Sequence, residues 1–124
     1  MKSIRYTLAL ALAASSLHAD WPQWGGRNER NFISDEKGLP VKMNPGKKKK
    51  VTEDIDLTTT ENCLWVAKLG SQSYGSCTVS NGQIFVGTNN ENPRSQKHIG
   101  DRGIVMIFDE YSGDFKWQLV SPKM

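Results

Sequence analysis

The chain is poor in the residues that most often carry chemistry. It has two histidines and two cysteines in 124 residues. No His/Cys group has zinc-ligand spacing, and neither Cys63 nor Cys77 lies in a Cys-x-x-Cys-His run, so covalent c-type haem is not indicated. No nucleophile–base pair stands out. Long hydrophobic runs are also missing. The one apolar stretch, Thr7 to Leu17, is too short for a comfortable membrane span. With 37% hydrophobic residues the composition is ordinary, which excludes a disordered tail and a multi-span membrane protein.

An excess of one charge is missing too, once the N-terminus is set aside. Lys2 and Arg5 precede the apolar run, and Leu17-His18-Ala19 ends it in a small residue. That is the layout of a secretory signal peptide, with cleavage expected after Ala19 and a periplasmic or secreted product. Residues 1–19 carry those two bases and no acid, so their removal lowers the net charge from +3 to +1. Nucleic-acid binding thereby loses its electrostatic argument. Lys47 to Lys50 remain as a basic run close to Glu53, Asp54 and Asp56, which reads as a solvated linker or strand-edge face. Export makes a Cys63–Cys77 disulfide possible. It would close a 15-residue loop and add about 3 kcal/mol on a chain-entropy basis. Buried free thiols are the alternative.

What is present is β texture. Residues 20–50 form an arm and linker. The arm holds Trp21 and Trp24 among Pro22, Gly25 and Gly26, and suits either aromatics that plug a pocket or a small local aromatic cluster. Residues 28–50 read as irregular. Residues 51–75 hold two candidate strands, 54–58 and 63–69, followed by a loop over 70–75. Residues 76–124 hold four: 77–80, 83–88, 103–109 and 115–120. Asn81-Gly82 between the first two is a strong hairpin signal, because both residues tolerate the positive φ of a type I′ turn. A long polar excursion runs from Thr88 to Arg102. The third strand has Ile104, Met106 and Phe108 on one face and Val105 and Ile107 on the other, so it requires cover on both sides.

The last two strands meet at Asp109-Glu110-Tyr111-Ser112-Gly113. Asp109 can accept hydrogen bonds from amides of the turn it precedes, and Gly113 can take a positive φ. Trp117 follows as a flat packing surface. Trp65, 52 residues earlier, stands in a similar strand, Leu64-Trp65-Val66 against Lys116-Trp117-Gln118. The expected fold is therefore all-β: an antiparallel four-stranded meander that must stack between similar sheets, as a propeller blade does.

The run Ile107 to Trp117 resembles the tryptophan-docking repeat of pyrroloquinoline-quinone-type (quinoprotein alcohol dehydrogenase-like) β-propellers, Ala-x-Asp-x-x-Thr-Gly-x-x-x-Trp. Asp109, Gly113 and Trp117 match, while Ile107 and Ser112 replace the alanine and threonine. The mature start (Trp21 to Gly26, then Gly38-Leu39-Pro40), Trp65 to Gly75 and Val86 to Asn90 resemble exported propellers of this kind common in planctomycete-type bacteria. The resemblance implies structural roles for Asp109, Gly113, Trp117 and Trp65 in tying neighbouring blades together, and protein partners or further blades as what they bind. It implies a non-catalytic binding or scaffold module. It also admits two alternatives: part of a quinoprotein dehydrogenase that oxidises alcohols or sugars, and a propeller of the outer-membrane assembly type. Propellers need typically 4–8 blades, so the resemblance implies a fragment with one full blade and part of another. No cofactor is expected in this chain; pyrroloquinoline quinone and calcium would belong to a longer parent. Glu91, Asn92 and Asp101 could face a central site in such a parent, but solvated loop positions fit them better, as exposure fits His98.

Overall fold

The computed structural model describes residues 20–52 and 54–122. The signal-peptide reading concerns residues 1–19, which lie outside the described residues. Among the described residues no helix is long and apolar enough to cross a membrane.

The fold is all-β and antiparallel. A two-stranded ribbon pairs β1 (Lys47–Lys48) with β2 (Ile55–Asp56), and β2 runs straight into a 3-10 turn, Leu57–Thr59. Asp56 caps that turn, its Oδ1 accepting from the Thr58 amide at 3.1 Å. A side chain that offers the backbone a competing bond ends a strand. The 54–58 strand expected from alternation is thus only two residues long. The lysine run forms the exposed side of this ribbon.

The main sheet is a meander of β3 (Thr78–Ser80), β4 (Gln83–Asn89), β5 (Gly103–Asp109) and β6 (Phe115–Ser121), each strand hydrogen-bonded to the next in chain order. Asn81 (φ +52°) and Gly82 (φ +71°) supply the two positive φ angles that turn β3 into β4. Consecutive strands with short or self-contained connections pair as neighbours. The long connection after β4 organises itself. Buried Asn90 donates to the carbonyls of His98 (2.6 Å) and Gly100 (2.9 Å).

The sheet has two unlike faces. Val86, Ile104, Met106 and Phe108 form the core on one, with Trp65, Ala67, Leu69 and Val120 packed against them. Residues 63–69 cross this face as an extended segment that belongs to no sheet. The candidate strand at these positions therefore has a strand's alternation without a strand's ladder. On the opposite face Ile107 is fully buried, in register with Phe85 and Trp117 on the flanking strands. Around it Val105, Trp117 and Leu119 are exposed.

A bulge between β5 and β6 sets this sorting. The register runs Ile107↔Trp117 and then Phe108↔Phe115, leaving Lys116 as the extra residue. Phe115 is thereby placed opposite Phe108 on the core face, and their rings meet edge to face at 5.9 Å. Trp117 goes to the other face.

The N-terminal arm adds a single bridge to the outer edge of β3, through Trp21 N to Val79 O (2.8 Å) and Val79 N to Trp21 O (2.9 Å). Trp24 packs edge-on against Phe32 at 4.9 Å. The arm's aromatics therefore form a local cluster and a strand bridge.

Candidate functional site

The site is built from the β5–β6 turn outward. Asp109 ends β5 and caps the turn: its Oδ1 accepts from the amides of Tyr111 (3.1 Å) and Ser112 (3.0 Å). The backbone closes beneath it, Gly113 N donating to Asp109 O at 3.0 Å and Asp109 N to Asp114 O at 2.8 Å. The bulge residue Lys116 reaches back to Asp109 Oδ2 at 3.0 Å. Amides that bond the ionised carboxylate favour that form. Hydrogen bonds from the Ser112 amide first, then Lys116 and the Tyr111 amide, hold the Asp109 carboxyl at about 2, below its ordinary 3.8. Ser112 Oγ adds a local bond to Asp114 Oδ2 at 2.8 Å.

Gly113 has φ +73°, and a Cβ there would run into the indole ring of Trp65. Two requirements thus meet at one residue: a left-handed backbone, and room for an aromatic ring to lie on the chain. Trp65 fills that room. Its Nε1 donates to Glu110 O at 2.9 Å, and its ring lies 6.2 Å from that of Phe108. Glu110 N in turn donates to Gly82 O at 3.0 Å, linking this turn to the β3–β4 turn. The tryptophan therefore covers the turn and uses a turn carbonyl that no strand claims.

A second fastening lies alongside. Arg94, from the long loop, stacks over Phe115 (4.7 Å to the ring centroid) and Phe108 (5.5 Å), and donates to Lys68 O at 2.8 Å. Asn92 donates to Leu69 O at 3.2 Å. At the far end Gly70 N and Ser71 N donate to Thr88 Oγ1 (3.0 Å) and Asn89 Oδ1 (2.9 Å). The 63–71 segment is strapped to the sheet at both ends. Nothing local in the sequence marks Arg94 for this role; two aromatics on strands more than ten residues away define it.

Of the residues singled out from sequence, Asp109, Gly113 and Trp65 come together. Trp117 does not join them: it lies on the opposite face and is 50% exposed. The tryptophan seated on the turn is the one 48 residues before Gly113 in the chain, not the one four residues after it. Cys63 and Cys77 are free thiols, so the possible bridge between them is not formed. Cys63 Sγ instead contacts Trp65 O at 3.4 Å. Glu91, Asp101 and His98 sit exposed on the long loop. Among the described residues no three His, Cys, Asp or Glu side chains gather as a metal site, and a calcium ion would ask for six to eight oxygens. Compared with family models, with curated proteins and with solved structures, the chain gives no match in any of the three.

Proposed function

We propose that this chain is an exported propeller-type repeat module of the pyrroloquinoline-quinone-like kind, and that it works as a non-catalytic binding scaffold by stacking sheet upon sheet. The observation that carries the reading is the seat of Trp65 on the Asp109–Gly113 turn, with its Nε1 on Glu110 O. An upstream strand-like segment is fastened to a downstream sheet by its tryptophan. Trp117 and Leu119 repeat that side-chain pattern on β6, and they face outward at 50% and 59% exposure. Exposed apolar surface of this kind marks a contact face. Asp109, Gly113 and Trp65 all serve to fasten backbone at the turn, which suits a scaffold.

The test is a Trp117→Lys/Leu119→Lys double variant of the full chain, followed by light scattering and hydrophobic-dye binding. Dye binding and self-association that fall about fivefold or more, with the circular dichroism spectrum unchanged, support a stacking face. Equal values in both proteins would overturn it. Pyrroloquinoline quinone with calcium, titrated onto the same chain, is expected to give no saturable quenching. Saturable binding with dye-linked alcohol oxidation would replace the scaffold with the oxidoreductase reading.

A further inference from the structure

A cleft of about 620 Å³ lies between the β1–β2 ribbon and the 63–71 segment. Small-molecule sites span about 300–1,000 Å³. The two walls come from different parts of the chain. Lys48, Asp54, Ile55 and Leu57 line the cleft from the ribbon, its hairpin turn and the 3-10 turn. Val66, Lys68 and Leu69 line it from the extended segment, and Asn92 from the long loop. Both walls are fastened from within the chain. On the ribbon side Lys49 N donates to Asp54 O at 2.8 Å and Lys47 N to Thr59 Oγ1 at 2.7 Å. On the other side Asn92 donates to Leu69 O at 3.2 Å and Gly70 N to Thr88 Oγ1 at 3.0 Å. A cleft already held in shape spares a ligand the cost of ordering its walls.

The lining divides into an apolar part and a charged part. Ile55, Leu57, Val66 and Leu69 supply hydrocarbon that water still reaches; Leu57 is 53% exposed and Val66 47%. Lys48 and Lys68 add two ammonium groups and Asp54 one carboxylate, so the lining carries a net charge of +1. Among the described residues neither lysine is in an ion pair. Strand alternation accounts for the selection of one lysine from the basic run. Lys47 and Lys48 stand on opposite faces of β1, and of the four lysines only Lys48 lines the cleft. Val66 and Lys68, two residues apart, share the outward side of their segment.

We propose that this cleft binds an amphipathic monoanion, a medium-chain fatty carboxylate. Its alkyl chain lies on Ile55, Leu57, Val66 and Leu69, and its carboxylate is held by Lys48 and Lys68. The hydrocarbon body removes from water the apolar surface that the fold leaves wet. One negative charge balances the excess on the lining, whereas a cation would add to that excess. A soluble polyanion has the charge but no hydrocarbon to cover four apolar side chains. The site goes beyond the stacking reading and does not rest on it, because the cleft shares no residue with the Trp117 and Leu119 face.

The experiment titrates decanoate, below its micelle concentration, onto the full chain and follows backbone amide chemical shifts. Saturable shifts are expected at Ile55, Val66, Lys68 and Leu69. Octanoate, two methylenes shorter, should bind about tenfold more weakly. Decyltrimethylammonium, with the same alkyl chain and the opposite charge, should give no saturable shift at these amides. Lys48→Gln/Lys68→Gln should weaken decanoate binding about fivefold, with the urea midpoint unchanged because both side chains are exposed. Four results would overturn the proposal: no saturation at the cleft amides, shifts confined to Trp117 and Leu119, equal binding of the cation, or a double variant that binds decanoate as the parent does. The ligand series on the parent chain decides the matter even if a variant fails to fold. Failure here leaves the dye-binding test of the Trp117 and Leu119 face untouched, so the two readings fail separately.

Discussion

Trp65 and Trp117 occupy similar stretches of sequence, and the fold treats them in opposite ways. Trp65 lies on Gly113, bonded to Glu110 O and in contact with Phe108, on the face that carries the core. Trp117 is in a regular ladder, yet its ring stands half in water on the other face. One has packing without backbone pairing, and the other has pairing without packing. A tryptophan contributes by what covers it, and a strand by what it pairs with; here the two contributions are separated within one chain.

The comparison can be broken most directly by truncating each ring. Trp65→Ala should cost about 3 kcal/mol or more, because it removes an aromatic wedged between turn and core. Trp117→Ala should stay within about 0.5 kcal/mol, as expected of an exposed position. Urea unfolding of both variants checks this, and similar losses would erase the distinction.

Gly113→Ala sharpens it from the other side. The new Cβ meets the indole and the φ of +73° is strained, so a loss of about 2 kcal/mol is expected. In a Trp65→Ala background the loss should shrink to the backbone part, which a double-mutant cycle would read.

The Asp109 cap gives a pH signature. Its carboxyl sits at about 2 in the folded chain, below the ordinary 3.8. The stability it adds is complete above about pH 5, declines as the pH falls, and is gone below about 2. Asp109→Asn should flatten that part of the profile. In the parent, the amide resonance of Ser112 should titrate with a midpoint near 2; a midpoint near 4 would mean the cap does not favour the ionised form.

The smallest effect concerns the covered face. Gln118 is in register with Met106, and its Oε1 is buried without a hydrogen-bond partner. Gln118→Leu should raise stability by about 1 kcal/mol, visible as a shifted urea midpoint. A loss would show that the amide has a partner in solution.

Much of the sheet was legible because its signals are local. The Asn81-Gly82 turn, the run of apolar residues on both faces of 103–109 and the Asp109-to-Gly113 reversal each rest on a few neighbouring residues. They appear as expected in β3 to β6. The 54–58 strand shrank because Asp56 competes for the backbone. The 63–69 strand kept its alternation but found no ladder, since alternation reports which side faces a surface and not whether a neighbour supplies hydrogen bonds. The Cys63–Cys77 pairing was a matter of compartment and count, which set no distance between the thiols.

The chain's own sequence determined the turn chemistry: a carboxylate that accepts amides and a glycine that accepts a positive φ need only their immediate neighbours. Which tryptophan lies on that glycine was decided by tertiary structure. The bulge at Lys116 turns Phe115 to the core face while Trp117 keeps the register of Ile107, and Arg94 straps the 63–69 segment in place. Those contacts join residues tens of positions apart, and no short stretch of sequence contains the geometry that brings them together.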